Sequence, residues 1–295
     1  ACTITNNDVR PRLTVTKVVV NNDGGTKAIS AFPLFVDAGG VTSGAQNSFA
    51  AGLHTVSETG QAGYNATISG DCAANGQVTL APGDAKACTI TNNDIRPKLT
   101  VTKVVINDDG GSATISAWSL FVDATQVTSG VQNGFAAGSH VVSESGLTGY
   151  SATFSGDCNS QGQVSLAPGD VKACTITNND VRPRLTVTKV VVNDDGGTKV
   201  VADFPLFVDT TGVTSGVQNG FAAGLHRVSE TGQAGYSLAI TGDCDAAGNV
   251  TLASGDVKAC TLTNNDIRPR LTVVKMVVNN TGGTAVGQAA QLCVD

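Results

Sequence analysis

The sequence repeats itself with a period of 86 residues, and this feature constrains the fold more than any other. Cys-Thr-Ile-Thr-Asn-Asn-Asp begins at Cys2, Cys88 and Cys174, and a variant with Leu in place of Ile begins at Cys260. The interval is the same each time, so no insertion or deletion separates the copies. Self-similarity at a fixed period indicates a tandem array in which each copy is one structural unit.

The phase of the repeat predicts how the chain divides into domains. Residues 1–10 are expected to hold the last strand of a preceding repeat plus a linker, and residues 269–295 the first part of a further repeat. The chain therefore reads as a window cut from a longer array. The linker Asn-Asn-Asp-Val/Ile-Arg-Pro is short and contains Pro, which indicates a semi-rigid rod of beads. The complete repeats are predicted at 11–96, 97–182 and 183–268.

Composition and alternation favour an all-β fold. The chain has 35 Gly and only 4% aromatic residues, and Thr, Ser, Asn and Val are abundant. Short alternating segments between Gly-rich turns indicate a β-sandwich or barrel, and no helical periodicity is evident. The last two strands of the first repeat are expected to form a hairpin around Pro82-Gly83-Asp84. The predicted strands are 2–8, 13–20, 27–36, 54–58, 65–68, 77–80 and 85–92.

Charge and motif content exclude several classes of function. Charged residues make up 14% of the chain with a net charge of −6, and no basic block provides a footprint for nucleic acid. No apolar run is long enough for a membrane span in this segment. The Asn-Asn-Asp turns have too few acidic residues for calcium, so we expect no metal and no cofactor. We also expect no enzyme, because the single His of each repeat has no Ser–Asp constellation around it. These residues, predicted to be partly buried and structural, are His54, His140 and His226.

Three polar residues of each repeat are in phase with inward-facing apolar residues of the predicted strands. In the first repeat they share strand faces with Val15, Val56 and Ile90. Because strand side chains alternate between faces, each repeat is expected to aim one Lys, one Glu and one Asn at its interior. The predicted sets are Lys17, Glu58 and Asn92; Lys103, Glu144 and Asn178; and Lys189, Glu230 and Asn264.

Buried Lys and Glu side chains need partners, and burial favours their neutral forms. A neutral Lys is a nucleophile, and a protonated Glu can hydrogen-bond a carboxamide and shuttle a proton. Such a trio can form a Lys–Asn isopeptide bond with loss of ammonia. Two alternatives are a hydrogen-bonded buried ion pair with Asn alongside, and a strand-end Lys that extends to water.

The cysteines form regular pairs. Two Cys of each repeat flank the predicted last hairpin with fifteen residues between them, and there is no Cys-x-x-Cys or nearby His pair for zinc. Even pairs in a secreted-type sequence predict disulfides. Cys2 lacks its counterpart, and Cys293, which stands where the repeats have Phe, has no evident partner. The predicted bridges are Cys72–Cys88, Cys158–Cys174 and Cys244–Cys260.

These motifs together resemble a known family. Leu-Thr-Val-Thr-Lys in the first strand, Gly-Leu-His-Thr-Val-Ser-Glu followed by Gly-Tyr in mid-repeat, and Ile-Thr-Asn in the last strand are similar to the prealbumin-like fold (Cna B-type or SpaA-type) repeats of bacterial surface proteins and pilins. The resemblance implies tandem Ig-like or prealbumin-like β-sandwich domains arranged as beads in a rod. It also implies that the first-strand Lys bonds to the last-strand Asn, with the mid-repeat Glu as catalytic partner. In that case the only chemistry is autocatalytic and single-turnover.

We therefore expect an extracellular or cell-surface structural protein, a stalk, fibre or pilus-like filament that associates with itself head to tail or in filaments. The alternative is an adhesin repeat region that binds a host protein or a glycan through loops that vary between repeats. Binding hot spots usually use exposed aromatic residues, of which this chain has few. Sequons at Asn65, Asn249 and Asn279 are candidate glycosylation sites.

Overall fold

The structure, a computed structural model, describes residues 1–284 of the chain. Its elements are almost all strands, and each complete repeat contributes eight of them. A three-residue 3₁₀ helix, Ile29–Ala31, follows the first strand. The strands of the first repeat are β1 (Arg12–Val20), β2 (Leu34–Val36), β3 (Gly39–Val41), β4 (Gln46–Ser48), β5 (Gly52–Glu58), β6 (Tyr64–Gly70), β7 (Gln77–Leu80) and β8 (Ala85–Asp94).

The second and third repeats reproduce this order, with 3₁₀ helices at Ile115–Ala117 and Val201–Asp203. The strands of the second repeat are β9 (Lys98–Ile106), β10 (Leu120–Val122), β11 (Thr125–Val127), β12 (Gln132–Gly134), β13 (Gly138–Glu144), β14 (Tyr150–Gly156), β15 (Gln163–Leu166) and β16 (Val171–Asp180). Those of the third are β17 (Arg184–Val192), β18 (Leu206–Val208), β19 (Thr211–Val213), β20 (Gln218–Gly220), β21 (Gly224–Glu230), β22 (Tyr236–Gly242), β23 (Asn249–Leu252) and β24 (Val257–Asp266).

Each repeat is a sandwich of two four-stranded sheets. In the first repeat one sheet has the order β4-β1-β8-β6 and the other the order β3-β2-β5-β7. The first and last strands, β1 and β8, pair in parallel from Arg12 opposite Ala85 to Val20 opposite Asn93. The other pairings within the repeat are antiparallel. The sheet that contains β1 therefore brings the two ends of the repeat side by side.

The core of each repeat lies between its two sheets and is built from aliphatic side chains. In the first repeat Leu13, Val15 and Ile90 from one sheet face Val56 and Leu80 from the other, and none is more than 1% exposed. Burial of a side chain of this kind contributes about 1.5–3 kcal/mol. The second and third repeats have separate clusters of the same composition, so each repeat has a core of its own.

The chain divides into two compact units. The first comprises Ala1–Asp108 with Ser112–Asp180 and contains the first two repeats. The second comprises Asp109–Gly111 with the residues from Val181 onward and contains the third repeat.

The structure corrects one predicted strand in the middle of the repeat. Residues 27–36 were expected to form a strand broken by Pro33, but only Leu34–Val36 is a strand, and Ile29–Ala31 on the other side of Pro33 forms a 3₁₀ helix. Pro33 separates the two elements. Because Pro lacks an N–H and disfavours helix at the residue before it, the backbone changes direction at this point.

The predicted last hairpin is also wrong. β7 pairs with β5 in one sheet, whereas β8 pairs with β1 and β6 in the other. The turn at Pro82-Gly83-Asp84 therefore crosses from sheet to sheet. Alternation in β7 and β8 indicates which of their side chains face the core. The pattern is the same whether the two strands pair in a hairpin or face each other across the core.

The predicted partial repeats at the two ends contain no strand among the described residues. Residues 1–11 and 267–284 are without strand assignment, so the expected strand at 2–8 is not formed and Ile4 is 88% exposed. Leu271, the counterpart of the fully buried Leu13, is 72% exposed. In the complete repeats the first and last strands pair with each other, and neither end segment has such a partner within the part of the chain that is described.

Candidate functional site

Each repeat brings its predicted Lys, Glu and Asn together at one buried point. Lys17 lies in the middle of β1, and Asn92 lies near the end of the neighbouring β8, opposite Val19. Glu58 is the last residue of β5, in the facing sheet. The Lys and Asn therefore come from one sheet and the Glu reaches them across the core.

The contacts between these groups are direct. Lys17 Nζ lies 3.0 Å from Glu58 Oε2 and donates a hydrogen bond to Asn92 Oδ1. It also donates to the carbonyl oxygens of Ile90 at 3.2 Å and Val18 at 3.3 Å. The Lys17 side chain is 0% exposed and the Glu58 side chain 8%. The amine is thus shielded from water and surrounded by acceptors.

The same arrangement recurs in the other two repeats. Lys103 Nζ lies 2.9 Å from Glu144 Oε2, and Lys189 Nζ lies 3.0 Å from Glu230 Oε2. Each Lys also donates to the Asn of its own repeat, Asn178 or Asn264. The nine residues that strand alternation singled out thus lie in three groups of three, one group in each repeat.

An aromatic ring that the sequence reasoning missed completes each cluster. Lys17 Nζ lies 4.8 Å from the centre of the Phe32 ring, which packs edge-on against Tyr64. Trp118 and Phe204 occupy this place in the other repeats, at 4.5 and 4.6 Å. The available signal was an aromatic residue at the same position of every repeat, directly before Pro33 in the first.

Burial shifts the lysine amines of the first two clusters toward their uncharged form. Burial lowers the pKa of Lys17, while the hydrogen bond and the charge of Glu58 act in the opposite direction without cancelling it. The pKa of Lys103 is lowered for the same reason. Within residues 1–284, Asn92 Nδ2 has no hydrogen-bond partner. The cluster holds an amine, a carboxyl group and a carboxamide in contact, which are the groups needed for amide formation with loss of ammonia.

The three predicted cysteine pairs are bonded as disulfides, Cys72–Cys88, Cys158–Cys174 and Cys244–Cys260. The strands that bring the cysteines together are β6 and β8, not the expected hairpin of β7 and β8. β6 runs antiparallel to β8 with Gly70 opposite Cys88, so Cys72, just beyond β6, comes close to Cys88. The Cα atoms are 5.4 Å apart in the first repeat, within the normal range. Cys2 is exposed and free in the described structure, and Cys293 lies outside the described residues.

The His of each repeat forms a pair with an Asp. His54 Nδ1 lies 2.8 Å from Asp37 Oδ2, and Nε2 lies 2.9 Å from the carbonyl oxygen of Ala50. Asp37 has a φ of +54° in the turn between β2 and β3, and its other oxygen accepts the N–H of Thr55 at 3.0 Å. The predicted structural role agrees with this geometry, but the Asp partner, 17 residues away, was not foreseen.

The candidate glycosylation residues differ in exposure. Asn65 on β6 and Asn279 are exposed. Asn249 at the start of β23 is half-buried, and its Nδ2 donates to Asp245 Oδ2 at 3.0 Å. An attached sugar would replace this hydrogen bond.

No helix within residues 1–284 has the length and apolar character needed to cross a membrane. Among curated proteins the chain finds no match.

Comparison with solved structures finds several bacterial proteins of low identity. The Bacillus anthracis TIE protein is 16% identical, with 88% of this chain and 51% of that chain covered and a TM-score of 0.47. The chain thus spans about half the length of that protein. Two B repeat units of the collagen-binding protein of Staphylococcus aureus are 13% identical, with 88% and 76% covered and a TM-score of 0.23. The major pilin T-13 of Streptococcus pyogenes is 13% identical, with 59% and 98% covered and a TM-score of 0.25.

A family model described as a prealbumin-like fold domain matches residues 8–90, 94–176 and 180–262, one match for each complete repeat. The chain therefore belongs to the family of prealbumin-like fold domains and contains three of them in tandem.

Proposed function

We propose that this chain is a structural segment of an extracellular stalk, fibre or pilus-like filament, in which each repeat is closed by a disulfide and by a Lys–Asn isopeptide bond. The observation that carries the proposal is the buried cluster of Lys17, Glu58 and Asn92 and its copies, which connects the first strand of each repeat to the last. The three prealbumin-like fold domains in tandem support a role as a structural array.

The proposed reaction uses only the groups of the cluster. Glu58 accepts a proton as Lys17 Nζ becomes a neutral amine, and the amine attacks Asn92 Cγ. Glu58 then gives this proton to the departing Nδ2 and takes a second proton from the attacking nitrogen, which is left with the single N–H of an amide. A C–N bond forms between Lys17 and Asn92, the C–N bond to Nδ2 breaks, and one ammonia leaves. Burial of the amine favours its nucleophilic neutral form, and no external reactant or cofactor is required.

The mass of the intact chain tests this reaction. After denaturation and reduction, a crosslinked chain is lighter than its sequence by one ammonia per repeat. The isosteric variant Glu58→Gln with Glu144→Gln and Glu230→Gln should restore the full mass, because Gln cannot shuttle the proton. Peptide mapping should then find Lys17 joined to Asn92 in the parent protein only.

Half-buried lysines of β8 and its counterparts, which lie outside the clusters, supply the matched control. Lys86 hydrogen-bonds the carbonyl oxygen of Thr79 at 2.7 Å at the surface. Lys86→Ala with Lys172→Ala and Lys258→Ala should leave the loss of ammonia unchanged. A parent protein whose reduced mass equals that of its sequence would overturn the isopeptide proposal and leave the clusters as buried polar networks.

The alternative function, an adhesin repeat region, has no specific observation in its favour. The turns between β2 and β3 and their counterparts, which vary between repeats, carry no aromatic residue in the sequence: Asp37-Ala-Gly-Gly, Asp123-Ala-Thr-Gln and Asp209-Thr-Thr-Gly.

A further inference from the structure

Within the first compact unit, the first two repeats meet through backbone groups. Ile95, in the linker, donates its N–H to the carbonyl oxygen of Gly63 at 2.8 Å and accepts the N–H of Gly169 at 2.7 Å. A Cβ atom on Gly63 would lie 2.2 Å from the carbonyl oxygen of Pro168. The two repeats are thus in direct contact at a point that leaves no room for a side chain.

A second contact joins the same two repeats through the loop after β1. The carbonyl oxygen of Asp23 accepts the N–H of Ala137 at 2.7 Å, and Asp23 Oδ1 lies 3.6 Å from Arg96 Nε. Buried Asp94 holds this loop by accepting the N–H groups of Asn22, Asp23 and Gly25 at 2.7–3.0 Å. The first repeat therefore presents a rigid acceptor to Ala137 of the second. We call these contacts, with those of Ile95, the junction.

The residue next to Ala137 is held by the His–Asp pair of the second repeat. His140 Nε2 lies 2.8 Å from the carbonyl oxygen of Ala136, and Nδ1 lies 2.7 Å from Asp123 Oδ2. A carbonyl oxygen and a carboxylate both accept hydrogen bonds. Both ring nitrogens must therefore carry a proton for both bonds to form, so this geometry fits the charged imidazolium.

We propose that His140 is a pH-responsive latch for the docking surface between consecutive repeats. The protonated ring fixes Ala136 and so orients the N–H of Ala137 toward Asp23 of the preceding repeat. The neutral ring keeps its proton on Nδ1, which donates to the carboxylate of Asp123, so the hydrogen bond from Nε2 to Ala136 is lost and this segment is released. In the second compact unit Ala223 donates to the carbonyl oxygen of Asp109 at 2.7 Å, and His226 holds Ala222 in the same way.

The charges around the latch determine the direction of its response. Asp123 contacts the ring directly, and Asp23 and Arg96 are the charged groups of the adjoining junction. Burial alone would lower the pKa of His140, but the hydrogen bonds to Asp123 and Ala136 raise it above its ordinary value. A group whose pKa is raised by folding stabilises the folded form at low pH and loses this effect as pH rises through the folded-state pKa. The hydrogen bonds of the junction are therefore more stable at low pH than at high pH.

Amide hydrogen exchange of Ala137 in the full chain tests the proposal. Its protection factor, corrected for the intrinsic exchange rate at each pH, should fall by about fivefold as His140 loses its proton, which is the effect of about one hydrogen bond. The titration of His140 itself is followed by NMR in the same samples. A protection factor that does not change across this titration would overturn the proposal.

Two matched variants separate the latch from general destabilisation. His140→Gln should lower the protection of Ala137 and abolish its pH dependence. His54→Gln removes the equivalent pair from the first repeat, whose Ala51 has no preceding repeat docked on it in the described structure, and should leave Ala137 unchanged. Equal effects of the two variants would contradict a local latch.

The proposed latch adds to the stalk a contact between repeats whose stability depends on pH. It does not rest on the isopeptide reaction. The hydrogen-exchange experiment measures only the stability of the junction, and the mass measurement detects only the crosslink. Failure of one proposal is therefore distinguishable from failure of the other.

Discussion

Removal of the disulfides should destabilise every repeat by a predictable amount. The bridge Cys72–Cys88 closes a loop with a sequence separation of 16. In the chain-entropy account a loop of this size stabilises the fold by about 3 kcal/mol. Both side chains are buried, at 7% and 0% exposure, so replacement of Cys by Ala adds about 1 kcal/mol for the space left behind. The total is a large share of the roughly 5–15 kcal/mol that stabilises a typical domain.

Urea unfolding followed by far-UV circular dichroism measures this loss. All three bridges should be removed together, because a change in one repeat would give overlapping transitions. Reduction of the parent protein removes the loop closure alone and should lower the urea midpoint by about 3 M, given a slope of about 1 kcal/mol/M for a domain this small. The six-site Cys→Ala variant should unfold at still lower urea and should not respond to a reductant.

The two measurements separate loop closure from packing. A shift of less than about 1 M on reduction of the parent protein, with the thiols shown to be free, would refute the loop-closure reasoning. The difference between the reduced parent and the Ala variant then reports the packing of the sulfur atoms.

Two other predictions concern the His–Asp pairs and the core. The hydrogen bond between His54 and Asp37 raises the pKa of the His and lowers the pKa of the Asp, so the pair stabilises the repeat fully only between about pH 4 and pH 6.5, the ordinary values. Urea midpoints should fall on the alkaline side as pH rises through the raised pKa and on the acid side as pH falls through the lowered one. A parent profile that matches that of the variant with His54→Gln, His140→Gln and His226→Gln contradicts this. Ile90→Ala, made together with Ile176→Ala and Leu262→Ala, should cost each repeat about 3 kcal/mol because these side chains are 0% exposed. Val18→Ala, made with Val104→Ala and Val190→Ala at 38–39% exposure, should cost about 0.5 kcal/mol or less per repeat in the same denaturation assay.

Local alternation predicted the faces of strands but not their neighbours. Lys17, Glu58 and Asn92 could be singled out because each lies two positions from a buried apolar residue on its own strand. The pairing of β7 with β5 rather than β8 was not predictable in this way, since a strand has the same pattern of inward residues whichever strand lies beside it. Prediction of the disulfides succeeded on spacing, although the strand pair that brings the cysteines together is β6 with β8.

Strand alternation could not predict features that depend on contacts between residues far apart in the sequence. Phe32, which covers the Lys17 amine, is the residue directly after a 3₁₀ helix. Strand periodicity does not apply there. Asp94 was expected to belong to a plain turn, yet it is 3% exposed and accepts three backbone N–H groups from the loop after β1. The role of Asp94 arises from the parallel pairing of β1 with β8, which places the end of the last strand beside the loop.

This parallel pairing also determines how a repeat responds when its two ends are pulled apart. The chain enters β1 at Arg12, opposite Ala85, and leaves β8 beyond Asn93, opposite Val20, at the other end of the same strand pair. Tension applied to the two ends therefore slides β1 along β8 in shear, and the hydrogen bonds between the two strands resist together. In an antiparallel hairpin pulled at its open end, the same bonds would break one after another. Mechanical strength is thus built into the strand order of each repeat, whatever covalent bonds reinforce it.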